Sequence, residues 1–174
     1  MKKQKGFSLI ELLIVVAIIL IIAAIAIPNL LRSKIAANES SAVGSVRTIG
    51  TAEVTYSSSW GTGYAVGLTQ LGGAAPCTTA SAATACLIDP LLSTGAFIKS
   101  GYSFGALGTF ADANNILNGF EVVAAPTTPQ TTGVRRFCDD QSGVVKFNMA
   151  AIALAQGNCA AVATAAGVSG PVGN

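Results

Sequence analysis

The sequence predicts an α+β fold: one long N-terminal helix, about residues 7–57, whose C-terminal half packs on a roughly four-stranded antiparallel β-meander. Two observations predict the helix. Phe7 to Ile27 is apolar with a single charge, Glu11, and apolar residues then recur at helical spacing as far as Tyr56. A third predicts the sheet. Beyond residue 100, short runs of aromatic and β-branched residues alternate with turn-forming clusters.

The N-terminal element begins with a basic stretch, Met1-Lys2-Lys3-Gln4-Lys5, which runs into Gly6-Phe7-Ser8-Leu9-Ile10-Glu11. A secretory signal peptide has its small-residue cleavage site after the apolar stretch. Here the small residue, Gly6, stands before it, so a cut at Gly6 leaves the apolar helix on the mature chain. As a helix, residues 7–27 would measure about 31 Å, one hydrocarbon thickness. Three lysines precede this segment while Arg32 and Lys34 follow it, and the positive-inside rule then puts the leader in the cytoplasm.

The six residues from Gly6 to Glu11, set behind a basic leader, resemble the precursors of type IV pilins and the related pseudopilins. The resemblance is specific at those positions, extends well from Lys5 to about Tyr56, and continues beyond only in general plan. It implies the pilin fold. It also implies removal of residues 1–6 by a prepilin peptidase, with cleavage between Gly6 and Phe7 and N-methylation of Phe7 by the same enzyme.

Glu11 is anomalous in this setting, because a carboxylate at the bilayer centre costs about 2.5–3.5 kcal/mol on insertion scales. One reading keeps it near hydrated headgroups. The other follows from the resemblance: Glu11 pairs with the Phe7 amine of a neighbouring subunit, neutralising both charges and setting axial register. Pro28 removes one helical N–H and crowds the carbonyl of Ala24. It reads as a kink at the membrane boundary, and in the family as a place where the helix melts on assembly. The apolar spacing resumes after it, so the helix is expected to continue.

In residues 28–57, Leu31, Ile35, Ala42, Val46, Ile49 and Tyr56 form one face, and Arg32, Lys34, Asn38, Glu39 and Arg47 fall mostly off it. Gly44 and Gly50 are candidate points of close approach. The helix should end near Ser57-Ser58-Ser59. Residues 58–100, rich in Gly, Ala, Ser and Thr, read as a connecting region, in pilins a surface-exposed loop. Within it Asp89-Pro90 signals a short helix that Gly95 would stop. Residues 101–174 hold the sheet and a C-terminal disulfide region. Tyr102 to Leu107 is the first strand. Asn118-Gly119 offers a turn before Phe120 to Ala125. Val134 to Cys138 and Val144 to Phe147 flank the turn-rich Asp139-Asp140-Gln141-Ser142-Gly143. The Ala-rich end, from Met149 to Asn174, is a strand, a covering loop or a tail.

Four cysteines in an exported domain favour two disulfides, for which three connectivities exist. Local loop closure and the C-terminal disulfide loop usual in pilins favour Cys77–Cys86 and Cys138–Cys159. Such closures contribute about 2–4 kcal/mol each. A four-thiolate zinc site lacks the paired CxxC spacing. Asp139 to Gly143 lacks the acids of a calcium loop, so no metal is expected.

Composition removes other function classes. The chain has 174 residues, 10 Lys+Arg, 8 Asp+Glu and no His. Without the leader, seven basic residues face eight acidic ones, which argues against nucleic acid as a partner. The lack of His excludes Ser-His-Asp and Cys-His catalysis. No phosphate-binding loop or dinucleotide fingerprint occurs. Asp139 and Asp140 are adjacent and expected to face solvent. No enzyme, catalytic residue or cofactor is expected.

The resemblance implies a subunit of a helical homo-oligomeric filament, held in the inner membrane before assembly and extracellular afterwards. An assembly platform and ATPase would be its partners, and adhesion, twitching or DNA uptake its service. Two alternatives stay open. One is a pseudopilin of a type II secretion system, in a periplasmic filament. The other is a minor tip pilin that binds a surface.

Overall fold

The computed structural model describes residues 7–162 and 169–172, so the leader with Gly6 lies outside the described residues, as do 163–168 and 173–174 of the C-terminal region. The chain divides into two compact units, Met1–Lys34 and Ile35–Asn174.

Helix α1 runs from Leu9 to Trp60, with Pro28 inside it. It stops three residues beyond the expected end. There Gly61 adopts φ +62° and its N–H bonds the carbonyl of Ser57, closing the helix in the left-handed conformation that glycine adopts without strain. In the first unit, the large apolar side chains from Leu9 to Leu31 are all exposed, Leu31 included.

In the second unit, α1 buries Glu39, Ala42, Val46, Ile49, Glu53 and Tyr56, at spacings of three and four, as one face of the core. Glu39, assigned by its charge mostly to the other side, is on this face. It stays because its carboxylate is fully answered: Oε1 accepts the N–H groups of Val134 (2.9 Å) and Arg135 (3.0 Å), and Oε2 accepts from Arg135 Nε (2.8 Å). The Arg135 guanidinium in turn lies over the rings of Phe137 and Phe147.

Residues 58–100 are more than a surface loop. Helix α2 (Leu68–Leu71) was not anticipated, and Ala65, Leu68, Leu71, Ala85, Ile88 and Leu92 all enter the core. Helix α3 (Pro90–Ser93) is capped by Asp89, whose side chain accepts the N–H of Leu91 at 2.9 Å. Gly95 follows with φ +75°.

The sheet has six strands among the described residues, two more than expected: β1 (Ile98–Lys99), β2 (Tyr102–Ala111), β3 (Leu117–Pro126), β4 (Arg136–Asp140), β5 (Lys146–Asn148) and β6 (Ser169–Pro171). They pair antiparallel in chain order, a simple meander. The two extra strands are edge strands of two and three residues, too short to carry an alternating pattern of their own.

The β2–β3 turn also differs. Asn118 and Gly119 lie inside β3, and the chain reverses earlier, at Asp112. The Asp112 carboxylate accepts N–H bonds from Asn114 (2.8 Å) and Ile116 (2.9 Å), an Asx turn that competes successfully with the Asn-Gly pair downstream. Alternation along the strands turns Phe104, Phe120, Val122, Ala124 and Phe137 toward the core shared with α1.

Candidate functional site

The sequence directs attention to the first described turn of α1. Ser8 precedes the helix, and its carbonyl accepts the N–H of Leu12 (3.3 Å). The Glu11 carboxylate reaches back to the Ser8 N–H at 2.9 Å. A serine with a glutamate three residues on is the spacing of a capping box, and one otherwise unpaired N–H at the helix start is satisfied by this contact. That signal was legible in Ser8-Leu9-Ile10-Glu11. Glu11 is also the only charged residue between Phe7 and Leu31. Phe7 itself is exposed, one helical turn ahead of Glu11. Gly6, on the other side of the expected cleavage point, is among the residues left undescribed.

Helix α1 is long and apolar enough to cross a membrane in its N-terminal part, and none of that stretch is buried within the chain. Pro28 does not end it: the helix carries on, and Ser33 Oγ donates to the carbonyl of Asn29 (3.0 Å) in the following turn.

The cysteines form two disulfides, Cys77–Cys86 and Cys138–Cys159, each with its Cα atoms 5.7 Å apart. Cys77 is exposed, whereas Cys138 and Cys159 are fully buried. The second bridge ties β4 to the C-terminal segment. Among the described residues, no group of three or more Cys, Asp or Glu side chains is placed to hold a metal ion.

What sequence reasoning missed is the fate of the acids. Asp139 and Asp140, expected to face solvent, belong to β4 and are buried. The turn begins only after them. Ser142 donates to Asp140 Oδ1 (2.8 Å), Gly143 donates to the Asp140 carbonyl (2.9 Å), and Gly143 takes φ +69°. Asp140 is thus a turn-capping side chain fixed at the end of a strand. Asp139 Oδ1 accepts the Asp140 N–H, and its other oxygen lies against Gly50 of α1. Gly50 is therefore a point of close approach. Gly44 is not, since a methyl group there would meet nothing within 4 Å.

Glu53 is wholly buried. One oxygen accepts the Ala65 N–H at 2.8 Å and the other has no partner. Burial pushes its pKa up to about 7, against the opposing pull of that N–H. Burial likewise pushes Asp139 up to about 6. Glu39 goes the other way. Burial alone would raise it, but the Arg135 and Val134 N–H groups and the guanidinium together hold it below the usual value. A signal for Glu39 and Glu53 existed: positions 39, 42, 46, 49, 53 and 56 continue one three-and-four spacing, so both glutamates fall on the apolar stripe.

Residues 1–27 match the family model described as the prokaryotic N-terminal methylation motif. Over 39 residues the chain is 62% identical to the type IV wide pilus major component PilA4 of Thermus thermophilus. That stretch is 22% of this chain and spans 30% of the length of that relative. No solved structure matches the chain.

Proposed function

We propose that this chain, a type IV pilin by its N-terminal methylation motif and its likeness to a pilus component, is a structural filament subunit that assembles through α1. The observation that carries the reading is the exposed apolar half of α1, bearing one carboxylate, Glu11, a single turn from Phe7. Such a surface needs an apolar partner. Lipid supplies one before assembly, and the same segments of neighbouring subunits supply it afterwards.

In this reading a prepilin peptidase cuts between Gly6 and Phe7 and methylates Phe7. Glu11 then exchanges its Ser8 N–H for the terminal amine of an adjacent subunit. An ammonium is the stronger partner in an apolar filament core, because an unpaired charge there is far costlier than an unpaired amide. A platform protein and an ATPase would drive the transfer from the inner membrane. Adhesion, twitching and DNA uptake are all services that such a fibre can perform.

Electron microscopy of sheared surface fibres, with mass spectrometry of the subunit N-terminus, tests the proposal. Long fibres containing a chain that begins at methylated Phe7 are expected. Glu11→Ala should insert and be processed yet give few fibres. Normal fibre yield from that variant would remove Glu11 from the mechanism. A processed chain confined to the periplasm without long fibres would point to a secretion pseudopilin. Abundant fibres persisting after deletion of the gene would point to a minor tip subunit.

A further inference from the structure

Beside the second stretch of α1 lies a cavity of about 300 Å³, wholly within the second unit. Arg47, Thr51 and Val54 of α1 form one wall. Phe120 of β3, Asp139 of β4 and Gln141 of the following turn form the other. Asp139 is the unusual member, a carboxyl group only 3% exposed at a seam between helix and sheet. Its Oδ1 accepts the Asp140 N–H (3.0 Å), while Oδ2, against Gly50, accepts no hydrogen bond from the described residues. Glu53 Oε1 is also unanswered, but it is sealed in the core, whereas Asp139 lines the cavity. Arg47 is exposed at the cavity wall and forms no ion pair with Asp139. A carboxylate so enclosed gains from a cation brought to its open oxygen.

The chain's own cations narrow the choice of guest. Among the described residues, Lys99 pairs with Asp89, Arg135 with Glu39 and Lys146 with Asp140. Arg136 donates to the carbonyl of Met149, and Arg47 is already at the cavity. Arg32 and Lys34 remain. Both are exposed, follow directly on the exposed Leu31, and have no acid partner among the described residues.

The helix face beside the cavity suits a second helix. Ser40, Gly44, Thr48, Thr51 and Thr55 recur along α1 at spacings of three and four. The Thr48, Thr51 and Thr55 hydroxyls donate to the carbonyls of Gly44 (2.9 Å), Arg47 (2.9 Å) and Thr51 (2.8 Å), so these donors are spent within the helix. A methyl group on Gly44 would meet nothing within 4 Å. Small residues let another helix approach closely. A parallel copy shifted by about 18 residues, a rise of about 27 Å, sets its residues 22–31 beside residues 40–49. Its exposed Ile22, Ile25, Leu30 and Leu31 then gain a cover, and its Arg32 comes level with Gly50.

Resting on the filament reading above, we infer that this cavity is a subunit socket: Arg32 of a second copy enters it and pairs with Asp139 Oδ2. Arg32 and Lys34 leave their helix about 200° apart, so only one of them can enter. The guanidinium is the better guest. It is planar, weakly hydrated and able to stack on the Phe120 ring while it bonds a carboxylate. Arg47, exposed on its long stem, turns to solvent as the guest arrives.

Cross-linking in sheared fibres tests the socket. The chain's described cysteines are all bridged, so Ser33→Cys with Gln141→Cys adds two new thiols, one next to Arg32 and one at the cavity. A short bis-maleimide should join copies into a ladder of dimers and larger species on a denaturing gel. The ladder should fall several-fold when the subunits are dispersed in detergent. Arg32→Gln and Asp139→Asn should each make fibres dissociate several-fold faster on warming, and the double variant should lose no more than either alone. Lys34→Gln should leave that rate unchanged. Melts of dispersed subunits, read by Trp60 fluorescence, check that each variant keeps its fold. Arg47→Ala, which removes the competing cation, should leave fibres at least as durable. Fibres that carry methylated Phe7 but give no ladder would overturn the socket and leave the filament reading standing. Additive losses in the double variant would overturn the pairing, and an equal loss from Lys34→Gln would overturn the choice of Arg32. A natural chain that forms no fibres would remove the filament reading, and the socket with it.

Discussion

The two stretches of α1 are made of similar residues and meet opposite ends. Residues 9–27 leave Leu9 76% and Leu20 63% exposed, while Val46, Ile49 and Tyr56 in the second stretch are sealed in a core. Their glutamates differ in the same way. Glu11 is exposed and holds the Ser8 N–H, whereas Glu53 is wholly buried with one oxygen unanswered. The second stretch carries its partner on the same chain, in the sheet and in residues 61–97. The first meets no such surface among the described residues, and an apolar face of that extent calls for an apolar partner. Helix formation is thus common to both stretches, and the location of the complementary surface separates them.

The sharpest way to break this comparison is to place one substitution in each stretch. Ile49→Asp buries an unpaired charge and should cost at least about 4 kcal/mol, enough to unfold the second unit. The fluorescence of Trp60, which stacks on Tyr56 with ring centres 5.0 Å apart, would read the loss in a thermal melt. Ile18→Asp should leave that melt unchanged. It should instead weaken membrane retention, with a penalty of about 2.5–3.5 kcal/mol, seen as release on alkaline carbonate extraction.

The buried acids sharpen the contrast through pH. Burial raises the folded pKa of Glu53 to about 7 from its ordinary 4.5, so folding takes up a proton between those values. Its contribution is fully present below about pH 4.5 and is lost as pH rises through 7, on the order of 3 kcal/mol in all. Asp139, at about 6, acts with the same sign over a lower range. Glu39 acts oppositely. Its folded pKa is lowered, so its stabilisation is present above the ordinary carboxyl range and is lost as pH falls through the folded value. The melting temperature should therefore fall from pH 5.5 to pH 8, and Glu53→Gln should remove most of the slope. A flat profile in the natural chain would show that Glu53 is solvated.

The smallest effects concern two glycines on one helix. Gly50→Ala would bring a methyl group 2.5 Å from Asp139 Oδ2 and should cost about 1–3 kcal/mol. Gly44→Ala meets nothing within 4 Å and should stabilise the helix by about 0.5–1 kcal/mol. Paired melts of the two variants read both, and equal shifts would contradict the packing of β4 on α1.

Much of this was legible, and unevenly. The long helix, its passage through Pro28, the Asp89 cap and the central strands follow from periodicity and from turn chemistry acting within a few residues. The Asp112 turn was missed because two competing turn signals lie six residues apart, and local rules do not rank them. The small elements α2, β1 and β6 were missed because they are shorter than any period they could display. Asp139 and Asp140 were misjudged because charge is a good guide to exposure only where no partner is available. Here the partners, Lys146 and the amides of the β4–β5 turn, are brought by the sheet.

By itself the sequence determined the helix, the membrane-length apolar segment with its single acid, and the motif at Gly6 to Glu11. These depend on residues a few positions apart, and local spacing encodes them completely. Tertiary structure alone decided which carboxyls are buried and how residues 149–162 lie on the sheet. Glu39 meets Val134 and Arg135, and Glu121 meets Cys159, across 95, 96 and 38 positions. Whether a buried charge is tolerated depends on partners delivered from that distance, and no local pattern records their arrival.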